Sequence, residues 1–188
     1  MQIQTLSVGM VGTQCYILGE DGGSSCLVID PGAEAARIRR AVDGRKLEAI
    51  LLTHGHFDHI GAVGELMEED TALLIHPADA AMLTDPGLNA GYSLIGRKVT
   101  APEATGFVRE GDELHLAGLT LTVLHTPGHT PGSVCYLCGS DLFTGDTLFE
   151  HGWGRTDLPG GSEADMFRSL RRLMPLAGTC TVHAGHEA

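Results

Sequence analysis

The stretch LLTHGHFDHIGAVGEL, residues 51–66, sets three histidines and an aspartate, His54, His56, Asp58 and His59, within six positions. It follows the apolar run LEAILLT, residues 47–53, which reads as a strand covered on both faces, and it runs into a helical pattern. Four polar side chains this close cannot satisfy one another, and burying them without partners is costly. The fold must therefore end a covered strand at this loop and bring other groups to it from distant parts of the chain.

The flanking sequence reads as alternating strands and helices. MQIQTLSV, QCYILGE and SSCLVID are short strands separated by turns, closing at Pro31 and Gly32. AEAARIRRAVDG changes to a helical period with Ile38, Ala41 and Val42 on one face and Gly44 as its stop. HIGAVGELMEED is expected to be a helix, ALLIH a strand, and PADAAML a further helical piece with Pro77 in its first turn. Residues 84–106, rich in Gly and Pro and without clear period, read as a long loop that covers a site. LTLTVLH, SVCYLC and DLFTG are strands, and SEADMFRSLRRLMP is a helix capped by Ser162 with Met166, Leu170 and Leu173 inward. CTVH is the last strand. The pattern is α/β, two half-sheets with helices outside, compatible with a four-layer sandwich and, at 188 residues, with one domain over 1–188.

Charge and cysteine usage narrow the partners. The 24 acidic residues outnumber the 12 basic ones, for a formal charge of -12, which repels nucleic acid and anionic membrane surfaces. No run of ~18 apolar residues or leader pattern is present. Five cysteines, an odd number spread widely, do not form a disulfide framework, so a reduced, cytoplasmic protein is expected.

Three further residues of ligand type lie at strand ends followed by small residues: His129 in HTPGHTPGS, Asp146 in FTGDTLF and His186 in VHAGHEA. A transition-metal shell needs such convergence from several loops, and five imidazoles with two carboxylates suit zinc, iron or manganese better than calcium or magnesium. Surface histidines would explain any one of these residues, but not all seven in matching contexts.

In order and spacing, THGHFDH, HTPGHTPGS, TGDTLF, GRTDLPGG and GHE resemble the metallo-β-lactamase superfamily, and within it the single-domain glyoxalase II-like (hydroxyacylglutathione hydrolase-like) hydrolases, from the first strand to the last residue. The resemblance implies an αβ/βα sandwich with the site on the rim between its sheets. It also implies two divalent ions, zinc foremost with iron or manganese as options: His54, His56 and His129 hold the first, Asp58, His59 and His186 the second, and Asp146 bridges them. The implied reaction is hydrolysis of an acyl thioester of the S-lactoylglutathione type by a metal-bridging hydroxide, with Asp58 as the catalytic residue that aims it. Lactamases of the superfamily commonly carry Cys where Asp146 stands, which disfavours antibiotic hydrolysis. Two-domain glyoxalase II enzymes draw basic groups for glutathione from a C-terminal helical domain, whereas this chain stops two residues after His186. Relatives that oxidise persulfides with one iron, held at positions matching His54, His129 and Asp146, share the same motifs and form the alternative reading. A non-catalytic metal-binding protein is the third.

Other residues carry weaker signals. Cys135 and Cys138 form a CxxC inside a strand, where positions i and i+3 face opposite ways, so they read as buried thiols rather than a redox pair. In HAGH, the resemblance selects His186 over His183. His76, His115, His125 and His151 read as structural or surface residues, with His151 near Trp153 a candidate for lining the pocket. Arg155 and Asp157 are expected to pair or to support the metal shell. Arg97, Lys98 and Arg109 are candidates for a substrate carboxylate, though solvated surface charge explains each of them.

Overall fold

The computed structural model describes residues 1–187. β1 (Gln2–Val8), β2 (Thr13–Gly19) and β3 (Ser25–Ile29) form an antiparallel meander. α1 (Ala35–Val42) crosses to β4 (Lys46–Leu51), which lies parallel to β3. After α2 (Phe57–Ile60) and α3 (Val63–Leu66), β5 (Ala72–Ile75) adds in parallel. A 3-10 turn over Pro77–Leu83 and α4 (Gly91–Ile95) lead to β6 (Gly106–Phe107) at the edge. The second sheet contains β7 (Glu113–Leu116), β8 (Leu119–His125), β9 (Val134–Cys138), β10 (Asp141–Gly145) and β11 (Thr181–Ala184), in the order β11-β10-β9-β8-β7. α5 (Glu163–Ala177) joins β10 to β11.

Strand alternation sorts the apolar side chains into three cores. On β2, β3 and β4, Cys15, Ile17, Cys26, Val28, Leu47 and Ile50 face α1 and α3, while Leu18, Leu27, Ile29, Ala49 and Leu51 face the other sheet. On β9, Val134 and Tyr136 join that central core, and Cys135 packs with Leu142 and Leu173 beneath α5. Both sheets are thus apolar on both faces, which gives the layer order helix, sheet, sheet, helix and the four-layer αβ/βα sandwich of the metallo-β-lactamase fold. Cys135 and Cys138 fall in different cores, as their spacing predicts, and all five thiols are free. Among the described residues no helix is long and apolar enough to cross a membrane.

Three local expectations are revised. The helix expected over HIGAVGELMEED divides into α2 and α3, because Gly61 lies against Gly32: a Cβ on Gly61 would stand 2.3 Å from the Gly32 carbonyl oxygen, and one on Gly32 only 1.6 Å from that of Asp58. This contact presses the His/Asp loop onto the Pro31–Gly32 turn and leaves no room for a continuous helix. Residues 84–106 contain α4, whose five residues lie between left-handed Ala90 and Gly96 and are too few to show a period. β7 was not expected; it pairs with β8 through a two-residue turn at Ala117 and Gly118, both at positive φ. α5 matches expectation, with the Ser162 hydroxyl accepting from the Asp165 amide and Met166, Leu170 and Leu173 buried.

Candidate metal centre

β8 and β10 both run antiparallel to β9, and β11 runs parallel to β10, so the loops after all three leave the same edge of the second sheet. They carry His129, Asp146 and His186. β4 delivers His54, His56, Asp58 and His59 to the same rim. All seven residues proposed from sequence meet there: His54, His56 and His129 present ligand atoms within 4.8 Å of one another, as do His54, His59 and Asp146, and Asp58, His59 and His186. Asp146 lies between the groups, with Oδ1 3.4 Å from His59 Nε2 and Oδ2 3.4 Å from His129 Nε2 and 3.5 Å from His186 Nε2. Asp58 Oδ2 accepts from the Thr13 hydroxyl at 2.9 Å and lies 3.2 Å from His186 Nε2.

The surrounding hydrogen bonds set the imidazole tautomers. His129 Nδ1 donates to the Arg155 carbonyl at 2.7 Å, and His186 Nδ1 to that of Val11 at 3.3 Å. His59 Nδ1 donates to Asp30 Oδ2 at 2.9 Å. Thr53 Oγ1 gives its proton to the same carboxylate at 2.6 Å and therefore accepts from His54 Nδ1 at 3.1 Å. Four rings thus turn a bare Nε2 inward when neutral. His56 turns Nδ1 to within 2.8 Å of His129 Nε2, an approach that two lone pairs keep only with a proton or a cation between them.

Burial and mutual charge shape the metal-free state. His54 is held well below the ordinary imidazole range by burial and by His59 and His129, and His56 falls to about 3 by burial and the same neighbours. For His59 burial acts downward, but Asp58, Asp146 and Asp30 raise it well above its usual value. His186 rises to about 9 against its burial, through hydrogen bonds to Asp146 and Asp58. Burial would raise Asp58, yet His59 and His186 hold it at about 2, and Asp146 is likewise driven well below the carboxylate range by His59 and His186. Protons therefore do the neutralising when no other cation is present. Among the described residues, the buried atoms His54 Nε2, His59 Nε2 and Asp146 Oδ1 find no hydrogen-bond partner, nor does His56 Nε2. Each such atom costs about 1–3 kcal/mol if left unmatched. Convergent bare nitrogens, anionic oxygens and orphaned acceptors fit divalent metal ions.

Asp30, Thr53 and Asp79 were not anticipated. Asp30 ends β3, with φ at 51°, and also accepts from the Thr53 amide at 2.8 Å. Buried Asp79 ties the loops of His54 and His129 together, accepting from the amides of Gly55 at 3.1 Å and Gly132 at 2.7 Å and from the Thr130 hydroxyl at 2.6 Å. The one signal in sequence was the Asp before Pro-Gly at a strand end. His183 is outside the cluster, paired with Asp141 at 2.8 Å, while His76 stacks on His125, His115 meets Thr120 and His151 is exposed. Arg155 pairs with Asp157 at 2.6 Å, and it is the Arg155 backbone that supports His129. Arg97 and Lys98 are exposed, as is Arg109, whose amide donates to Asp112.

The family model described as Metallo-beta-lactamase superfamily matches residues 8–186. ML0493 of Mycobacterium leprae is 39% identical over 99% of this chain and 91% of its own length. The probable metallo-hydrolase YqgX of Bacillus subtilis is 38% identical over 99% and 90%. A hydroxyacylglutathione hydrolase of Erwinia tasmaniensis is 37% identical over 92% of this chain, which spans 61% of that longer protein. Among solved structures, BLEG-1 B3 metallo-beta-lactamase aligns with TM-score 0.92 at 34% identity, covering 100% of this chain and 92% of that one. TTHA1623 in a di-iron-bound form aligns at 0.85 and 34%, covering 98% and 92%. ETHE1 from Myxococcus xanthus aligns at 0.81 and 30%, covering 100% and 76%.

Proposed function

The chain belongs to the metallo-β-lactamase superfamily, and from that membership and the two-part donor cluster we propose that it is a binuclear metallohydrolase that cleaves acyl thioesters, in the manner of the glyoxalase II-like hydrolases. The observation that carries this reading is the second group of donors: Asp58, His59 and His186 converge beside His54, His56 and His129, with Asp146 between. One ion cannot use seven ligands. His54, His56 and His129 would hold one ion, Asp58, His59 and His186 the other, and Asp146 both; zinc is the ion favoured, and the di-iron form of TTHA1623 makes iron an equal test. Divalent ions bound there supply a water acidified toward neutrality and a Lewis acid for the carbonyl oxygen.

The chain's own groups do the rest. Thr13 and His186 hold the Asp58 carboxylate in place, where it can accept a hydrogen bond from the attacking water and aim that oxygen at the carbonyl. A thiolate leaves without a dedicated general acid, which suits a site whose imidazoles are committed as ligands. Residues 1–188 act as one catalytic unit in this reading, on a small-molecule thioester, with no nucleic acid or membrane partner. The charge of -12 and the five free thiols support that choice and residence in the cytoplasm.

The persulfide dioxygenase is the second reading, favoured by the proximity of His129 and Asp146, 3.4 Å apart, beside His54. S-lactoylglutathione and glutathione persulfide, supplied separately while thiol release and oxygen uptake are followed, distinguish the two. Thiol release without oxygen uptake, from protein holding two ions per chain, is the expected result. Oxygen uptake with persulfide, one iron per chain and no thioester cleavage would overturn the hydrolase.

A further inference from the structure

A cavity of about 750 Å³ has His186 in its lining, the ring that also reaches Asp58 and Asp146 in the donor cluster. One wall is apolar, made by Leu148, Phe149, Met174 and Val182, with the Phe149 ring edge-on to His186 at 6.2 Å. Thr5, Gln14 and Tyr16 add neutral polar groups, while the charge of the lining is one-sided. Glu150 and Glu187 line it, and so do Ala177 and Gly178 at the C-terminal end of α5, where carbonyl oxygens give a helix its negative pole. The last turn of α5 carries no basic residue to offset that pole, and among the described residues no lysine or arginine lines the cavity. Its two imidazoles are engaged elsewhere, His183 with Asp141 at 2.8 Å and His186 with the donor cluster.

A thioester whose carbonyl sits at the donor cluster would extend its remote portion past His186 into this space. We infer that the cavity is the specificity pocket for that portion, and that it selects substrates carrying a cationic, apolar-bodied group, such as an alkylammonium, over those carrying carboxylates. This rests on the thioesterase reading and names its substrate class. A glutathione conjugate brings two carboxylates to a wall that already holds two; an ammonium group is attracted by Glu187 and by Glu150, whose own neighbour is the exposed His151 at 4.0 Å, and its methylenes meet Met174 and Phe149.

The test uses the full chain loaded with metal and three acetyl thioesters that differ only in the thiol: thiocholine, a neutral methoxyethanethiol and 3-mercaptopropionate. The expected order of kcat/KM is cationic, neutral, anionic, with a ratio between the extremes of at least about tenfold at low salt that shrinks as salt is added. Glu150→Lys with Glu187→Lys should invert the order, whereas Glu69→Lys with Asp70→Lys, on the exposed loop before β5, should move it little and so exclude a mere effect of net charge. If the double variant fails to fold, Glu150→Gln alone, at a side chain 84% exposed, should still lower the ratio. Equal rates for the three, or an order that the Glu150 and Glu187 changes leave untouched, would overturn the inference. Absence of cleavage of all three would instead reject the thioesterase reading. Calorimetry with unreactive thioether analogues then decides the pocket: tighter binding of the choline thioether upholds it, and equal or reversed binding overturns it.

Discussion

Asp30→Asn should disable the centre without touching a ligand. The aspartate accepts three hydrogen bonds, from the Thr53 amide at 2.8 Å, the Thr53 hydroxyl at 2.6 Å and His59 Nδ1 at 2.9 Å. An asparagine keeps the shape and tolerates the left-handed backbone at φ 51°, so only the chemistry changes. Its carbonyl can serve the Thr53 amide, but its NH2 then faces the Thr53 hydroxyl and His59 Nδ1. His59 Nδ1 must become an acceptor, which moves its proton to Nε2, inside the cluster. The Thr53 hydroxyl, now receiving a proton from the amide, donates to His54 Nδ1 and drives that ring to the same wrong tautomer. Loss of one outer partner of a metal-ligating histidine costs about 10–100-fold in affinity, so two such losses predict roughly 10²–10⁴-fold weaker binding, about 3–6 kcal/mol at 1.4 kcal/mol per decade. Metal affinity by chelator competition reads this directly, and 15N spectra of the metal-free protein report the tautomer of His54, the ring that burial keeps neutral. Wild-type affinity, or an Nδ1 proton retained on His54, would refute the reasoning.

Further predictions follow from single contacts. Asp58→Ala should lower kcat by about 10²-fold or more while circular dichroism stays native, since His54, His56 and His129 remain; equal loss of fold would contradict its role. Gly32→Ala should prevent stable folding, because the new Cβ falls 1.6 Å from the Asp58 carbonyl oxygen; soluble, native protein in good yield would count against that packing. His76, lowered to about 4 by burial, by stacked His125 and by Arg109, takes up its proton at higher pH when unfolded than when folded. Its contribution to stability is therefore complete above about pH 6.5 and lost as pH falls toward 4, and His76→Phe should flatten that acid limb in urea titrations.

The architecture and the seven donors were legible because their signals are local. Residues 47–53 are apolar without alternation since β4 is covered on both faces, and the H-x-H-x-D-H spacing compresses four donors into one turn. β7 has only the four-residue alternation of ELHL before the Ala117–Gly118 turn, a local signal too short to stand out from a loop. The division of α2 from α3 carried none, because it is made by a contact between Gly61 and Gly32, 29 residues apart.

Asp30 and Asp79 were illegible for the same physical reason. A carboxylate acquires its role from the donors it meets, and those lie 23 or more residues away: Asp30 reads as a strand-end turn residue until Thr53 and His59 are brought to it, and Asp79 as the first-turn acid of a short helix until Gly55, Thr130 and Gly132 close around it. Asp30 anchors the donor-bearing loop after β4 to the end of β3, and Asp79 joins that loop to the donor-bearing loop after β8. The distance between His56 and His129, on which the first group of donors depends, is therefore set by Asp79, which holds the Gly55 amide next to His56 and the Thr130 hydroxyl next to His129. The donors could be read one by one in the sequence, but the spacing that makes them a centre comes from two buried acids outside the motif.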